Sequence, residues 1–180
     1  VEKYTIFALV GPNGSGKTCI LKLICGMLQK DKGTIYIKGY DSNIKKNKIK
    51  SLIGYMPQNN DIDSDLTVFE NLYLHAQLHG VVKKDARKAA IELSKKLNFY
   101  KYLNSYPSNI SFGILRVIIF ARSIVHNPEI LVLDEPTSNL DPMFKDLIWD
   151  YLYKIKKNKT IFYCSQNFYE AQEHSDRIAI

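Results

Sequence analysis

The sequence predicts an α/β fold in which helices cover both faces of a mainly parallel sheet and a helical subdomain is inserted between strands. Three observations indicate this fold. Short apolar runs alternate with helical repeats, a glycine-rich segment joins the first run to the first helix, and a long helical stretch interrupts the series. Strands joined by crossover helices form parallel sheets. The 180 residues, 46% of them hydrophobic, suffice for one domain with its own core.

The first predicted elements follow from apolar runs and the glycines and prolines that end them. Residues 5–10 form a continuous apolar run, as expected of a buried strand, and the glycine-rich segment follows it directly. Apolar residues then recur at helical spacing. We expect strands at residues 5–10, 34–38 and 52–56, and a helix from about residue 17 to residue 28.

The remaining elements are predicted in the same way. Helical periodicity between residues 67 and 99 indicates a helical insertion, and a proline at position 107 ends it. The helix beyond is apolar almost all round, which is typical of a helix packed on both sides. We expect helices at 113–126, 142–156 and 168–173, and strands at 130–133, 160–164 and from 177 onward.

Composition and charge restrict the classes of function. No apolar stretch reaches the roughly 18 residues of a membrane-spanning helix, and the first residues lack the pattern of a signal peptide. The three irregularly spaced cysteines favour a reducing compartment, and we expect their side chains to be buried in the protein. Of the 25 basic residues 21 are Lys and only 4 are Arg. Because nucleic-acid readers favour Arg, we interpret the lysine runs at 45–50 and 154–159 as solvated surface and do not expect a nucleic-acid partner.

The glycine-rich segment has the spacing of a phosphate-binding loop. It consists of glycine, four residues, glycine, lysine and threonine, between a strand and a helix. Backbone N–H groups of such a loop surround a phosphate, the lysine reaches the β- and γ-phosphates, and the threonine ligates Mg²⁺. The predicted loop residues are Gly11, Pro12, Asn13, Gly14, Ser15, Gly16, Lys17 and Thr18.

An acidic pair, Asp134 and Glu135, ends the apolar run at 130–133. A parallel sheet would bring this pair to the same edge as the phosphate loop. There Asp134 would hold Mg²⁺ through water and Glu135 would orient the attacking water. Taken alone, such a pair is usually a helix cap or a solvated turn, so the interpretation depends on its combination with the loop.

With these motifs the chain resembles the nucleotide-binding domain of ATP-binding cassette (ABC) transporters over essentially its whole length. The resemblance implies a P-loop NTPase (RecA-like) fold, with a core at 1–58 and 115–180 and a helical subdomain at 59–114. It also implies ATP and Mg²⁺ as cofactors and hydrolysis of ATP at a dimer interface. A transmembrane partner would hold the domain at the cytoplasmic face of a membrane.

Further segments match the family at its usual order and spacing. In Tyr55-Met-Pro-Gln58, which resembles the Q-loop, Gln58 would contact Mg²⁺ and the attacking water. The segment 110–114 resembles the signature, so that Ser111 and Gly113 would contact nucleotide across the dimer. Asp141 of the D-loop would face the opposite subunit, and Gln166 occupies the switch position.

Two departures weaken these motifs. Phe112 replaces the first glycine of the signature, where backbone must approach a phosphate closely. Gln166 replaces the usual histidine and cannot carry its positive charge, and loss of such a contact costs on the order of 10²–10³ in rate. A homodimer would combine both defects in each site, so a heterodimer with a better-conforming domain is favoured over it.

The ends of the chain also depart from the family. The strands that precede and follow this region in the family are absent from residues 1–180, so we expect either an incomplete domain or part of a longer product. The sequences of the helical insertion and of residues 169–180 resemble most the exporter branch of the ABC family. Two alternatives remain open: a non-hydrolysing, ATP-binding regulatory subunit, and a soluble ABC protein that acts on ribosomes or nucleic acid.

His75 and His79 lie four residues apart on a predicted helix, which is the spacing of a metal-binding pair. No glutamate occupies the intervening catalytic position and no third ligand is evident in the sequence. We interpret the two as surface histidines of an amphipathic helix.

Overall fold

The computed structural model describes residues 1–42 and 45–180, with all of their side chains except that of Lys46. Within these residues the strands are β1 (Ile6–Val10), β2 (Tyr36–Ile37), β3 (Tyr40–Asp41), β4 (Ile53–Met56), β5 (Ile130–Asp134), β6 (Thr160–Ser165) and β7 (Arg177–Ala179). The helices are α1 (Lys17–Ile24), α2 (Lys46–Leu52), α3 (Val68–Leu78), α4 (Lys83–Lys96), α5 (Phe112–Ile124), α6 (Pro142–Ile155) and α7 (Phe168–His174). The predicted α/β fold is confirmed.

Five strands form the main sheet, in the order β4-β5-β6-β1-β7, and all of its pairs are parallel. The register places Asp134 of β5 opposite Cys164 of β6, which in turn lies opposite Leu9 of β1. The carboxyl ends of these three strands therefore meet at one edge of the sheet. That edge is where a parallel sheet binds its ligand.

Apolar side chains pack on both faces of the sheet because successive residues of a strand point to opposite faces. In β5, Leu131 and Leu133 belong to the larger core, which the inserted helices and α5 and α6 complete. Val132 belongs to a smaller cluster on the other face, together with Leu21 of α1. The strand is buried on both sides, as its unbroken apolar sequence predicts.

One local prediction between residues 34 and 52 is wrong. The strand expected at 34–38 is limited to β2, which pairs antiparallel with β3. Lys38 and Gly39 form the connection with φ of 51° and 80°, and a two-residue hairpin turn of this hand requires positive φ at both positions. The lysine run at 45–50 lies largely in α2, because Ile49 of that helix is buried on the sheet. Lys45, Lys48 and Lys50 are exposed as expected, while the side chain of Lys46 lies outside the described residues.

The helical insertion begins at a capping box. Thr67 accepts a hydrogen bond from the Glu70 backbone N–H, and the Glu70 side chain accepts one from the Thr67 backbone. This reciprocal pair fixes the start of α3. The interpretation of His75 and His79 as surface histidines is wrong, since both are half-buried against His126, a residue far from them in the sequence.

The cysteine prediction holds for two of three residues. Cys25 and Cys164 are buried, and burial raises the pKa of each thiol to about 12. Cys19, in the first turn of α1, is exposed. Across the described residues, no helix combines the length and the apolar character needed to cross a membrane.

Candidate nucleotide-binding site

The glycine-rich segment curls between the end of β1 and the start of α1. Gly14 and Gly16 have φ of 81° and 90°, and a Cβ atom at either would meet nothing within 4 Å, so the loop opens onto free space. The backbone N–H of Gly11 donates to the Ser165 carbonyl oxygen at 3.3 Å, which ties the loop to the end of β6. The positive φ values explain why glycine stands at these two positions.

Lys17 places a positive charge inside this loop. The residue is only 8% exposed. Its Nζ donates hydrogen bonds to the carbonyl oxygens of Gly11 at 2.7 Å and Pro12 at 2.9 Å. The ammonium group and the N-terminus of α1 together form an environment that favours an anion.

Thr18 and Asp134 join the loop to the acidic pair. Thr18 Oγ1 donates to Asp134 Oδ2 at 2.7 Å, whereas Asp134 Oδ1 is buried without a hydrogen-bond partner among the described residues. Burial raises the pKa of Asp134 above its ordinary value, and the Thr18 hydrogen bond and the charge of Lys17 oppose that shift. A hydroxyl beside a buried, incompletely satisfied carboxylate is a donor set that suits Mg²⁺.

Glu135 occupies a special backbone position directly after β5. Its φ is 48°, in the left-handed region, and its Oε1 is buried without a hydrogen-bond partner among the described residues. Burial raises the pKa of Glu135, and hydrogen bonds from Gln166 partly offset the rise. The predicted switch residue therefore lies beside the predicted catalytic carboxylate. A carboxylate with a raised pKa is a better base toward water than an exposed one.

Arg116 is a site residue that the motifs did not predict. It is 2% exposed in α5, and its guanidinium donates to the carbonyl oxygens of Pro57 at 3.0 Å, Gln58 at 2.9 Å and Glu135 at 3.0 Å. One side chain thus fixes the backbone of both Gln58 and Glu135. The signal in the sequence was a charged residue within an otherwise apolar helix, because such a residue is buried only where it has partners.

These groups surround one cavity of about 210 Å³ at the edge of the sheet. Its lining includes glycine-loop residues, Asp134, Glu135 and Gln58, and also the exposed residue Cys19. The site residues that the structure brings together here are Asn13, Gly14, Gly16, Lys17, Thr18, Gln58, Asp134 and Glu135. Asp134 and Glu135 line this cavity and each has a buried oxygen without a hydrogen-bond partner among the described residues, so the residues of the cavity fit a phosphate with a divalent cation.

Seven predicted residues are not part of the lining of this cavity. Gly11, Pro12 and Ser15 belong to the glycine-rich loop itself, and Gln166 lies beside Glu135. The other three lie at the starts of α5 and α6. Ser111 and Asp141 are the N-cap residues of α5 and α6, with no hydrogen bond from their side chains to the helix ends. A Cβ atom at Gly113 would lie 2.4 Å from the Phe144 ring, so a side chain at this position would displace that ring where α5 packs against α6. Phe112 is 49% exposed at the first turn of α5.

A phosphate-type loop opening onto two strand-end carboxylates defines a P-loop nucleotide-binding protein. A sequence profile described as ABC transporter matches residues 1–138. The chain belongs to the ABC transporter family, and it has the fold of that family's ATP-binding cassette.

Two curated relatives and one solved structure illustrate this membership. ABC transporter A family member 6 of Dictyostelium discoideum is 34% identical over 97% of this chain. Nod factor export ATP-binding protein I of Burkholderia orbicola (strain AU 1054) is 33% identical, also over 97% of this chain. The chain spans 11% of the length of the first protein and 58% of the second. The dimeric post-hydrolysis state of an ATP-binding cassette bound to ADP and Pi matches with a TM-score of 0.90 and 25% identity, over 99% of this chain and 81% of that chain.

Proposed function

We propose that this chain binds ATP with Mg²⁺ and hydrolyses it to ADP and phosphate, and that a transmembrane partner uses this reaction for transport at the cytoplasmic face of a membrane. The cavity that combines Lys17, Thr18, Asp134 and Glu135 supports the proposal most strongly. The relative described above as a Nod factor export ATP-binding protein favours export as the direction.

The residues of the cavity have distinct roles in this reaction. The glycine loop and Lys17 would hold the β- and γ-phosphates, and Thr18, Asp134 and Gln58 would hold Mg²⁺. The bound metal supplies charge neutralisation at the phosphates. Glu135 accepts a proton from the attacking water, and Gln166 orients that carboxylate through its hydrogen bonds.

The test compares binding with turnover. We expect the wild-type chain to bind ATP and to hydrolyse it slowly, Glu135→Gln to bind without turnover, and Lys17→Ala to lose affinity for ATP. Lys154→Ala, which removes an exposed lysine of α6, is the matched control and should behave as wild type. Turnover that is equal in wild type and Glu135→Gln would contradict the assignment of the base.

A second nucleotide-binding domain is proposed to complete the site. Ser111, Gly113 and Asp141 lie outside the cavity of their own chain, which agrees with roles across a head-to-tail dimer. In a heterodimer the departures at Phe112 and Gln166 would fall in different nucleotide sites, whereas a homodimer would combine them in both sites. Gln166→His should raise turnover on the order of 10², as expected when one transition-state contact is restored. Turnover of the chain alone that is already as fast as the Gln166→His variant would contradict the heterodimer.

The alternative of a non-hydrolysing, ATP-binding regulatory subunit is favoured by Gln166, because it replaces the usual histidine of the switch position. In that case the wild-type chain would bind ATP tightly and neither it nor the Gln166→His variant would turn over. The comparison of the two proteins therefore separates a slow ATPase from a non-hydrolysing subunit.

A further inference from the structure

Three of the chain's four histidines meet away from the nucleotide cavity, where the inserted helices contact the sheet. His75 and His79 lie one turn apart at the end of α3, and His126 lies in the turn after α5. One ring nitrogen from each lies within 4.8 Å of the others. The ring centroids of His79 and His126 are 4.0 Å apart, and those of His75 and His79 are 4.5 Å apart.

The hydrogen bonds of these rings determine which nitrogens are free. His79 Nδ1 lies 2.9 Å from the His75 carbonyl oxygen, and His126 Nε2 lies 3.1 Å from the Ile53 carbonyl oxygen. A carbonyl oxygen only accepts, so in each ring that nitrogen carries the proton. The other nitrogen, Nε2 of His79 and Nδ1 of His126, keeps its lone pair.

The free nitrogen of His126 has an unusual position. The residue is 9% exposed, and its Nδ1 is buried without a hydrogen-bond partner among the described residues. A buried polar atom of this kind needs an explanation. Histidines that bind metals share this arrangement, since one nitrogen donates to a backbone carbonyl and thereby orients the other toward the ion.

We propose that His75, His79 and His126 bind one divalent transition-metal ion, with Zn²⁺ as the ion that the ligand set suits best. Imidazole nitrogens are preferred ligands of Zn²⁺, and three of them with one water complete a tetrahedron. Zn–N distances of about 2.0–2.1 Å place ligand nitrogens about 3.3 Å apart. The half-buried rings of His75 and His79 have to close by side-chain rotation to reach that spacing.

The surroundings keep the rings neutral but oppose a dication. Burial lowers the pKa of His75 to about 3 and that of His126 to about 4, so both rings offer lone pairs at neutral pH. Arg122 contributes to the lowered pKa of His75, and Lys159 contributes to that of His126. These cations weaken binding of a positive ion, so the affinity should be below that of a structural site with four protein ligands.

A metal at this position would join separate parts of the fold. His75 and His79 belong to the helical insertion, whereas His126 follows α5 and contacts the first residue of β4 through the Ile53 carbonyl. An ion that binds only the folded chain raises its stability. At a free metal concentration about 100 times the Kd, the expected rise in Tm is roughly 5–10 °C.

The experiment is a calorimetric titration of the chain with Zn²⁺ in the presence of excess Mg²⁺, which competes for oxygen ligands, followed by the absorption spectrum with Co²⁺. We expect one equivalent of Zn²⁺, a rise in Tm and the visible bands of tetrahedral Co²⁺. His79→Gln should weaken binding by more than about tenfold, since even loss of an outer-shell partner costs about 10–100-fold. His174→Gln is the matched control, because His174 lies outside the cluster and is stacked on Trp149.

The half-buried His79 is chosen because replacement of the buried His126 risks unfolding. Melting without metal establishes that His79→Gln is folded. Equal Zn²⁺ affinity in wild type and folded His79→Gln, or Co²⁺ bands that are absent from the wild type, would overturn the proposal. No nucleotide is used, so this outcome is independent of ATP hydrolysis.

Discussion

Replacement of Arg116 by Met should destabilise the fold and loosen the catalytic edge together. The variant loses three hydrogen bonds from a charged donor, to the carbonyl oxygens of Pro57, Gln58 and Glu135. Each is worth about 1.5–3 kcal/mol. The variant also avoids the cost of burying a charged group, several kcal/mol, which partly offsets the lost hydrogen bonds. We therefore expect the free energy of unfolding to fall by about 2–4 kcal/mol.

Urea denaturation measures this loss. With an m-value of about 2 kcal/mol/M, the midpoint should fall by about 1–2 M. Under conditions in which the variant is folded, ATP turnover should also fall on the order of 10², because displacement of Gln58 and Glu135 by about 1 Å has that effect. ATP affinity should change less, since the glycine loop does not contact Arg116.

Two control variants distinguish the loss of the three hydrogen bonds from the loss of the positive charge, and from the general effect of replacing an arginine by methionine. Arg116→Lys keeps the charge but cannot reach three carbonyl oxygens from one planar group, so it should resemble Arg116→Met. Arg87→Met, on the exposed face of α4 over the Phe69 ring, should cost less than about 1 kcal/mol. A midpoint and a turnover of Arg116→Met that both equal those of the wild type would refute the reasoning.

Three further predictions concern other parts of the chain. Gly54→Ala would place a Cβ atom 1.9 Å from the Ser123 carbonyl oxygen, and we expect a loss of about 3 kcal/mol in urea denaturation; an unchanged midpoint would contradict this packing. Thr67→Ala removes the capping box of α3 and should lower stability by about 1 kcal/mol in thermal melts, whereas no change would show that the cap is not formed. Cys19 should be the thiol that iodoacetamide modifies at pH 8 in the folded chain, because burial raises the pKa of the other two to about 12. Mass spectrometry should show that ATP with Mg²⁺ slows this modification, since Cys19 lines the nucleotide cavity; equal rates with and without nucleotide would argue against that position.

The elements that the sequence predicts best are those with a local cause. The glycine loop, β5 and the acidic pair each follow from a short contiguous pattern, and the structure places Lys17 and Asp134 in one cavity. The helix boundaries of the insertion follow from apolar spacing and from the cap at Thr67. These features depend on neighbours within a few residues, so one sequence suffices to find them.

The features that the sequence does not reveal depend on contacts between distant residues. Arg116 contacts a carbonyl 59 positions away, and His126 meets His75 only because α5 ends beside α3. The hairpin of β2 and β3 was missed for a different reason, since Lys38 adopts a positive φ that its residue type does not indicate. Local patterns carry no information about such pairings until the topology is known.

The pairing register of the sheet determines how the side chains at its carboxyl edge are positioned relative to one another. Ile161 of β6 pairs with Leu131 on one side and Ile6 on the other, and these apolar residues are buried in the core, outside the cavity. A slip of β6 by one residue would carry Gln166 about 3.3 Å along the strand and away from Glu135, and would exchange the two faces of the strand. The position of Gln166 relative to Glu135 thus depends on side chains deep in the core. Substitutions of those side chains can therefore alter turnover without contacting the cavity.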